Sequence, residues 1–146
     1  MIGRATKNDG AALLALETAC FSEIWSEKTL LLLLENPDYL TLLERDESGT
    51  ARAYLIGWQI GEEAELARIG VRPAARGQGR SGPILKAALE IWRGQGARNV
   101  WLEVRESNQI ARRLYASQNF LEVGKRANYY ADGETALVLR LELGTI

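Results

Sequence analysis

The chain has 146 residues, of which 47% are hydrophobic and 25% charged, with one cysteine and no histidine. This length fits one domain that buries its core without disulfides or metals. The lack of histidine excludes Ser–His and Cys–His nucleophile pairs and imidazole metal sites. A lone Cys20 forms neither an internal disulfide nor a thiolate zinc site, so a reducing cytoplasm is the expected compartment. Acid–base chemistry must therefore come from carboxylates, tyrosines or lysines.

The net charge of −1 conceals two unlike halves. Residues 1–70 carry 6 Lys+Arg and 12 Asp+Glu, whereas residues 71–146 carry 12 and 7. The basic excess is densest at Arg72, Arg76, Arg80 and Lys86, and such a cluster favours an anionic ligand. The longest apolar run, residues 30–34, is far too short to span a bilayer, and the N-terminus has no signal-peptide pattern. We therefore expect no membrane association.

The first half of the chain predicts two short helices followed by three strands. A turn at Thr6 starts the first helix, and Ser26 caps the second, which stops near Asn36 before a proline. Alternating and β-branched residues then predict strands at 39–45, 51–59 and 64–71, separated by polar turns.

The second half alternates strands and helices. A Gly- and Arg-rich loop, residues 72–82, precedes a helix that ends at Gly94 and Gly96. A nearly continuous apolar strand at 99–104 is typical of a central position, and Asn108 is placed to cap the next helix. Two further strands are predicted at 121–130 and 136–143. This order predicts a single α/β domain, residues 1–146, with a mixed central β-sheet flanked by helices and a right-handed crossover.

Three glycines in the loop, Gly77, Gly79 and Gly82, match the G-x-G-x-x-G pattern of dinucleotide-binding enzymes. The context does not match, because that loop follows its strand directly, whereas here residues 72–76 intervene. A P-loop is excluded since Pro83 stands where its lysine is required. The glycine loop would also suit a different ligand that carries a pyrophosphate, because N–H groups that no side chain covers at a helix N-terminus stabilise a pyrophosphate. A nicotinamide-dependent enzyme therefore remains only a remote alternative.

Residues 71–81, VRPAARGQGRS, resemble the acetyl-CoA pyrophosphate signature of the GNAT N-acetyltransferases, Arg/Gln-x-x-Gly-x-Gly/Ala. Ser81 departs from the last position, although it is small enough for close backbone approach. The resemblance continues at residues 21–28, 101–108, 114–115 and 128–130. It implies the acyl-CoA N-acyltransferase fold, with acetyl-CoA as donor substrate and no metal. The donor contacts it implies are Ile69, Gly70, Val71, Arg76, Gly77, Gln78, Gly79, Arg80, Ser81, Gly82 and Asn108.

Acetylation of an amine requires a neutral nitrogen and a proton for the departing thiolate. The resemblance implies that Glu103, near the end of the central strand, accepts the amine proton, directly or through water. From the residues alone, an ion pair with Arg105 or another neighbour is an equal interpretation. The resemblance also implies that Tyr115 donates the proton to the thiolate, although a tyrosine on that helix face is otherwise a core residue.

The resemblance is strongest to the branch that acetylates the N-terminal alanine of a small-subunit ribosomal protein. It implies a protein or peptide N-terminus as partner and no nucleic acid as primary ligand. Trp25, Glu27, Tyr129 and Tyr130 are expected to line the peptide side, with packing in the core as the competing interpretation for the aromatic residues. A lysine or small-molecule amine acceptor stays open, as does a non-catalytic CoA-binding module.

Two smaller expectations concern the strand before the loop. Gly70, inside that strand, indicates a β-bulge or close ligand approach, and a backbone N–H there would stabilise the oxyanion. Cys20 is expected to lie away from the loop and from the strand pair. A covalent acetyl-cysteine route is therefore disfavoured.

Overall fold

A computed structural model describes residues 1–144 and contains, within that range, one mixed sheet of seven strands with four α-helices around it. In chain order the elements are β1 (Ile2–Arg4), α1 (Gly10–Cys20), α2 (Glu27–Glu35), β2 (Tyr39–Arg45), β3 (Ala51–Ile60), β4 (Glu63–Val71), α3 (Ser81–Gly94), β5 (Asn99–Arg105), α4 (Gln109–Ser117), β6 (Leu121–Arg126) and β7 (Ala136–Glu142). The strand order is β1-β2-β3-β4-β5-β7-β6. The predicted mixed sheet flanked by helices is confirmed.

Each face of the sheet has its own core. On one face, α3 and α4 pack through residues such as Ile84, Trp92 and Tyr115 against inward-facing residues of β3 to β5 and β7. On the other face, α1 and α2 contribute Leu13, Leu16 and Leu30 over β2 and β3. The α1 and α2 helices pack against β2, β3 and β4. The β5 side of that second face carries an open cleft described below.

The central strands β4 and β5 are parallel and separate early. Their paired residues are confined to 63–65 on β4 and 99–101 on β5. Beyond Glu65 the backbone of β4 pairs with no strand other than β3 within residues 1–144, which leaves a gap between β4 and β5. A bulge lies here, because Ile56 pairs with Arg68 and Gly57 with Leu66, which leaves Ala67 as the extra residue. The result is a gap at the carboxyl ends of two parallel strands, where ligands commonly bind in α/β proteins.

Most predicted boundaries agree with the structure, and the caps explain why. The Ser26 hydroxyl accepts from the N–H of Thr29, and the Asn108 side-chain oxygen Oδ1 accepts from the N–H of Ala111. The short strand β1 was missed by the sequence patterns. The predicted strand 121–130 is too long: β6 ends at Arg126, since Asn128 adopts φ 53° and turns the chain.

No helix in residues 1–144 has the length and apolarity to cross a membrane.

Replacing Gly57 with alanine is expected to destabilise the sheet. A Cβ at this position would lie 2.5 Å from the Glu65 carbonyl oxygen and 2.5 Å from the fully buried Trp92 ring. Neither neighbour is a flexible side-chain end, so we expect a loss of about 1–3 kcal/mol, the usual range for overpacking. Urea unfolding of Gly57→Ala measures this loss.

Gly94→Ala is the matched control, because its added Cβ would meet nothing within 4 Å. In helix α3 this change should be neutral or stabilising by up to ~1 kcal/mol. Equal unfolding midpoints for the two variants would contradict the tight contact at Gly57.

Candidate active site

The loop between β4 and α3 has the conformation that its glycines predict. Gly77 and Gly79 adopt φ values of 77° and 70°, a region that disfavours residues with a side chain. Within residues 1–144, the backbone N–H groups of Gly79 and Arg80 meet no intrachain acceptor. Helix α3 begins at Ser81 without a side-chain cap. Uncapped N–H groups at a helix N-terminus suit the phosphate oxygens of a bound anion.

Two arginines of this loop, Arg76 and Arg80, are held by other residues of the chain. The Arg80 guanidinium donates to Gln78 at 2.9 Å and to the buried Glu44 at 3.4 Å. Arg52 also pairs with Glu44, and this pairing lowers the pKa of the Glu44 carboxyl. The Arg76 Nε donates to the Val71 carbonyl at 2.8 Å, which ties the loop to the end of β4. A phosphate contact from Arg80 therefore has to compete with Glu44.

The structure corrects the bulge expected at Gly70 and the expected position of Cys20. The bulge in β4 is at Ala67, and Gly70 is closely approached by protein side chains, since a Cβ there would lie 2.7 Å from the Tyr54 ring and 3.2 Å from Cys20 Sγ. Cys20 thus lies against the end of β4 and near Arg76, not away from the strand and loop. Burial raises the pKa of its thiol, which keeps it protonated and poorly nucleophilic. That burial, rather than distance, disfavours an acetyl-cysteine route.

Glu103 lies on β5 just past the point where β4 and β5 separate. Its side chain is 22% exposed, and its Oε2 is shielded from water without accepting a hydrogen bond within residues 1–144. The competing interpretation, an ion pair with Arg105 or another neighbour, is observed with a different partner: Glu103 pairs with Arg126, whereas Arg105 pairs with Asp132 and Glu134. The nearest cation is Arg126, whose Nε lies 3.5 Å from Oε2. A shielded acceptor oxygen beside an open gap is suited to receive a proton from a ligand.

Tyr115 lies on α4 and is 6% exposed, inside the core that α3 and α4 share. Its ring packs edge-on against Phe120, with ring centroids 5.8 Å apart. Burial raises the pKa of its phenol well above the ordinary value, and the nearby Tyr130 adds to this effect. The phenol is therefore fully protonated at neutral pH, as a proton donor must be.

Tyr129 and Tyr130 lie in the loop between β6 and β7 and stack edge-on at 5.2 Å. The Glu103 carboxylate, through hydrogen bonding and charge, raises the pKa of the Tyr129 hydroxyl. Arg105 lies 4.0 Å above the Tyr130 ring. The structure thus brings both tyrosines to the side of Glu103, as expected for residues of an acceptor site.

Trp25 belongs to a second cluster, on the segment between α1 and α2, residues 21–26. Its ring lies 4.5 Å from the guanidinium carbon of Arg68, and the Phe21 ring lies 4.6 Å from the same atom. Arg68 donates to the fully buried Glu17 at 2.6 Å. Glu27 is exposed at the start of α2 and makes no ion pair within residues 1–144. Trp25 therefore lies beside β4, in a cluster different from the one around Glu103.

A cleft of about 300 Å³ adjoins Glu103 on the open part of the sheet face. Sequence patterns missed its other residues, because alternation along a strand predicts a solvated face without saying which strands are neighbours. Its walls come from five strands and include Trp58, Ile60, Glu63, Glu65, Trp101 and Arg126. The strand register is the information that brings Glu65 and Glu103 to one site.

Comparisons with known proteins agree with this geometry. The acetyltransferase (GNAT) family profile matches residues 10–120. The [ribosomal protein bS18]-alanine N-acetyltransferase of Haemophilus ducreyi is 35% identical over 147 residues, covering 98% of this chain and 100% of that protein. Its Escherichia coli counterpart is 34% identical over 122 residues, covering 82% of this chain and 81% of that protein.

Solved structures give the same result. The crystal structure of the ribosomal-protein-S18-alanine N-acetyltransferase from Escherichia coli superposes with a TM-score of 0.91 at 31% identity, covering 100% of this chain and 95% of that one. Ard1 from Thermoplasma volcanium, at 21% identity and a TM-score of 0.85, shares the fold. With a family profile that spans most of its length and relatives above 30% identity, this chain belongs to the GNAT family of acetyltransferases.

Proposed function

We propose that this chain transfers the acetyl group of acetyl-CoA to the α-amine of a protein, and that its acceptor is the N-terminal alanine of a small-subunit ribosomal protein of the bS18 type. The observation that carries the proposal is the shielded Oε2 of Glu103, which accepts no hydrogen bond within residues 1–144 and lies beside the gap between β4 and β5. The printed activity of the Haemophilus ducreyi and Escherichia coli relatives supplies the acceptor. Such an acceptor implies a cytoplasmic location.

The donor substrate fits the gap and the loop. Acetyl-CoA supplies a reactive thioester and a pyrophosphate, which needs hydrogen-bond donors and positive charge. We assign the pyrophosphate to the N–H groups of residues 76–82 and the start of α3. The backbone of residues 69–71, whose β5 side pairs with no strand, is assigned to the pantetheine and acetyl portion. Asn108, which caps α4, is assigned a further contact with acetyl-CoA.

In this proposal Glu103 removes a proton from the acceptor ammonium, and the neutral amine attacks the thioester carbonyl. The C–S bond breaks and an amide bond forms as the attacking nitrogen releases its second proton to solvent. Tyr115 protonates the leaving thiolate and regains a proton from solvent before the next turnover. The raised pKa of Tyr115 makes it a weak acid in the resting state, but a thiolate formed next to it in the same dry site is a strong acceptor. Tyr129 and Tyr130 are assigned to the walls of the acceptor site, and Trp25 and Glu27 to its outer side by β4.

A peptide panel tests the proposal. The chain is incubated with acetyl-CoA and a basic peptide beginning with alanine, with the same peptide carrying a blocked N-terminus, and with a blocked peptide containing lysines. Intact mass should show one added acetyl group on the free N-terminus alone. Acetylation of the blocked lysine peptide would overturn the assignment to α-amines. Failure to acetylate any of the three peptides would overturn it as well.

A further inference from the structure

The cleft beyond Glu103 continues past the closed end of the β4–β5 gap. Glu65 is opposite Trp101, the last pair before the strands separate, and Glu103 lies two residues further along β5 on the same face. Two strand residues span about 6.6 Å, which is also the length of about two residues of an extended peptide. A peptide whose first amine is at Glu103 and which runs along the cleft toward Glu65 would therefore bring its second side chain to Glu65.

The charge of this cleft is negative. Its walls carry Glu63, Glu65 and Glu103 against Arg126 alone, and Arg126 is paired with Glu103. Within residues 1–144, Glu65 makes no ion pair, although it is only partly exposed. Burial, and then the charge of Glu103, raise the pKa of the Glu65 carboxyl. A cation in the cleft would therefore stabilise the ionised carboxylate against both burial and the repulsion from Glu103. An unpaired and partly desolvated carboxylate is a strong acceptor for a charged donor.

The apolar part of the cleft fits the stem of a long basic side chain. The rings of Trp58 and Trp101 and the side chain of Ile60 line it next to Glu65. Lys and Arg place their methylene groups along such surfaces while the charged end reaches a partner. The Arg140 guanidinium lies 5.6 Å from the Trp101 ring centroid and pairs with Glu142, so one cation of the chain itself already packs against this ring.

We propose that Glu65 is a specificity-determining residue, which binds an arginine or lysine side chain at the second position of the acceptor peptide. This inference rests on the proposed acetylation of a free N-terminus and adds the requirement for a cation next to the reacting residue. Glu103 receives the amine proton, and Glu65 holds the neighbouring side chain.

The test uses peptides that begin with alanine and differ only at the second residue, which is arginine, lysine, glutamine or glutamate. The chain should acetylate the arginine peptide with a kcat/KM about 10-fold or more above that of the glutamine peptide, as for a hydrogen bond between charged groups. In Glu65→Gln this ratio should fall to about 1. In Glu65→Lys the glutamate peptide should become better than the arginine peptide.

Glu47→Gln is the matched control, since it removes the same charge from the exposed turn between β2 and β3 and should keep the ratio. Quenching of tryptophan fluorescence by the same peptides gives a second measurement, independent of turnover, because Trp58 and Trp101 line the cleft. An equal kcat/KM for the arginine and glutamine peptides in the unaltered chain, or an unchanged ratio in Glu65→Gln, would overturn the role of Glu65. Failure to acetylate any free N-terminus would instead overturn the proposed function, and the fluorescence ratio would then decide whether Glu65 selects cations in binding.

Discussion

Glu103→Gln is expected to lower kcat for acetyl transfer by about 10²–10⁴-fold, the usual contribution of a general base. The amide has nearly the shape of the carboxylate but cannot take a proton from the acceptor ammonium. The KM for acetyl-CoA should change little, because the proposed donor contacts lie in the loop and on β4. Steady-state kinetics with an alanine-starting peptide measure both quantities.

The alternative is that Glu103 serves the fold through its ion pair. That pair joins Glu103 to Arg126, whose side chain is 59% exposed, and exposed pairs contribute little to stability. A structural role therefore predicts a small change in unfolding free energy and no special loss of activity. Arg126→Gln breaks the same pair, and we expect it to cost far less activity than Glu103→Gln.

Glu90→Gln provides the charge-matched control, because Glu90 is exposed on α3 and pairs only with Arg93 within the described residues. It should transfer acetyl groups at the rate of the unaltered chain. A Glu103→Gln variant that folds, binds acetyl-CoA and keeps more than about a third of kcat would show that the base is elsewhere.

The sequence predicts those features of this site that depend on residues close together in the chain, and it does not predict those that depend on contacts between distant segments. The Gly77 and Gly79 turns, the Ser26 and Asn108 caps and the position of Glu103 near a strand end are local properties, and all are observed. Sequence patterns cannot give the neighbour of each strand or the point where β4 and β5 separate. That is why Glu65 was missed and Cys20 was misplaced, since both acquire their surroundings from distant segments.

The proposed acetyl-CoA site likewise depends on a contact between distant residues that sequence patterns do not predict. Composition around residues 72–86 indicates an anionic ligand, but it does not show that Arg80 is engaged by Glu44, which is 36 residues earlier in the chain. Counting cations near a glycine loop therefore overstates the charge that is free for a phosphate. Backbone N–H groups, which at Gly79 and Arg80 meet no acceptor in the described part of the chain, are the more dependable donors.

Glu17→Ala is expected to destabilise the fold by about 3–5 kcal/mol, because it leaves a charged partner without its counter-ion in a largely buried site. Glu17 is fully buried in α1 and accepts from the Tyr54 hydroxyl at 2.7 Å, from Arg68 at 2.6 Å and from the N–H of Trp25 at 3.1 Å. One carboxylate thus joins α1 to two strands and to residues 21–26. Urea unfolding measures the loss.

A double-mutant cycle separates the ion pair from the packing. If the charges are coupled, Arg68→Ala in the Glu17→Ala background should cost at least about 1 kcal/mol less than it does in the unaltered chain. Glu90→Ala is the exposed counterpart and should cost no more than about 0.5 kcal/mol. Additive losses at Glu17 and Arg68 would contradict the coupling.

The same variant also tests what holds residues 21–26 over β4. Arg68 follows the bulged Ala67 and lies between the rings of Phe21 and Trp25, so its orientation depends on Glu17. Without Glu17 the segment loses both the Trp25 N–H bond and the ordered guanidinium on which its rings stack. We therefore expect limited proteolysis of the folded Glu17→Ala variant to cut first within residues 21–26, and first cleavage elsewhere would show that this segment is held independently of the ion pair.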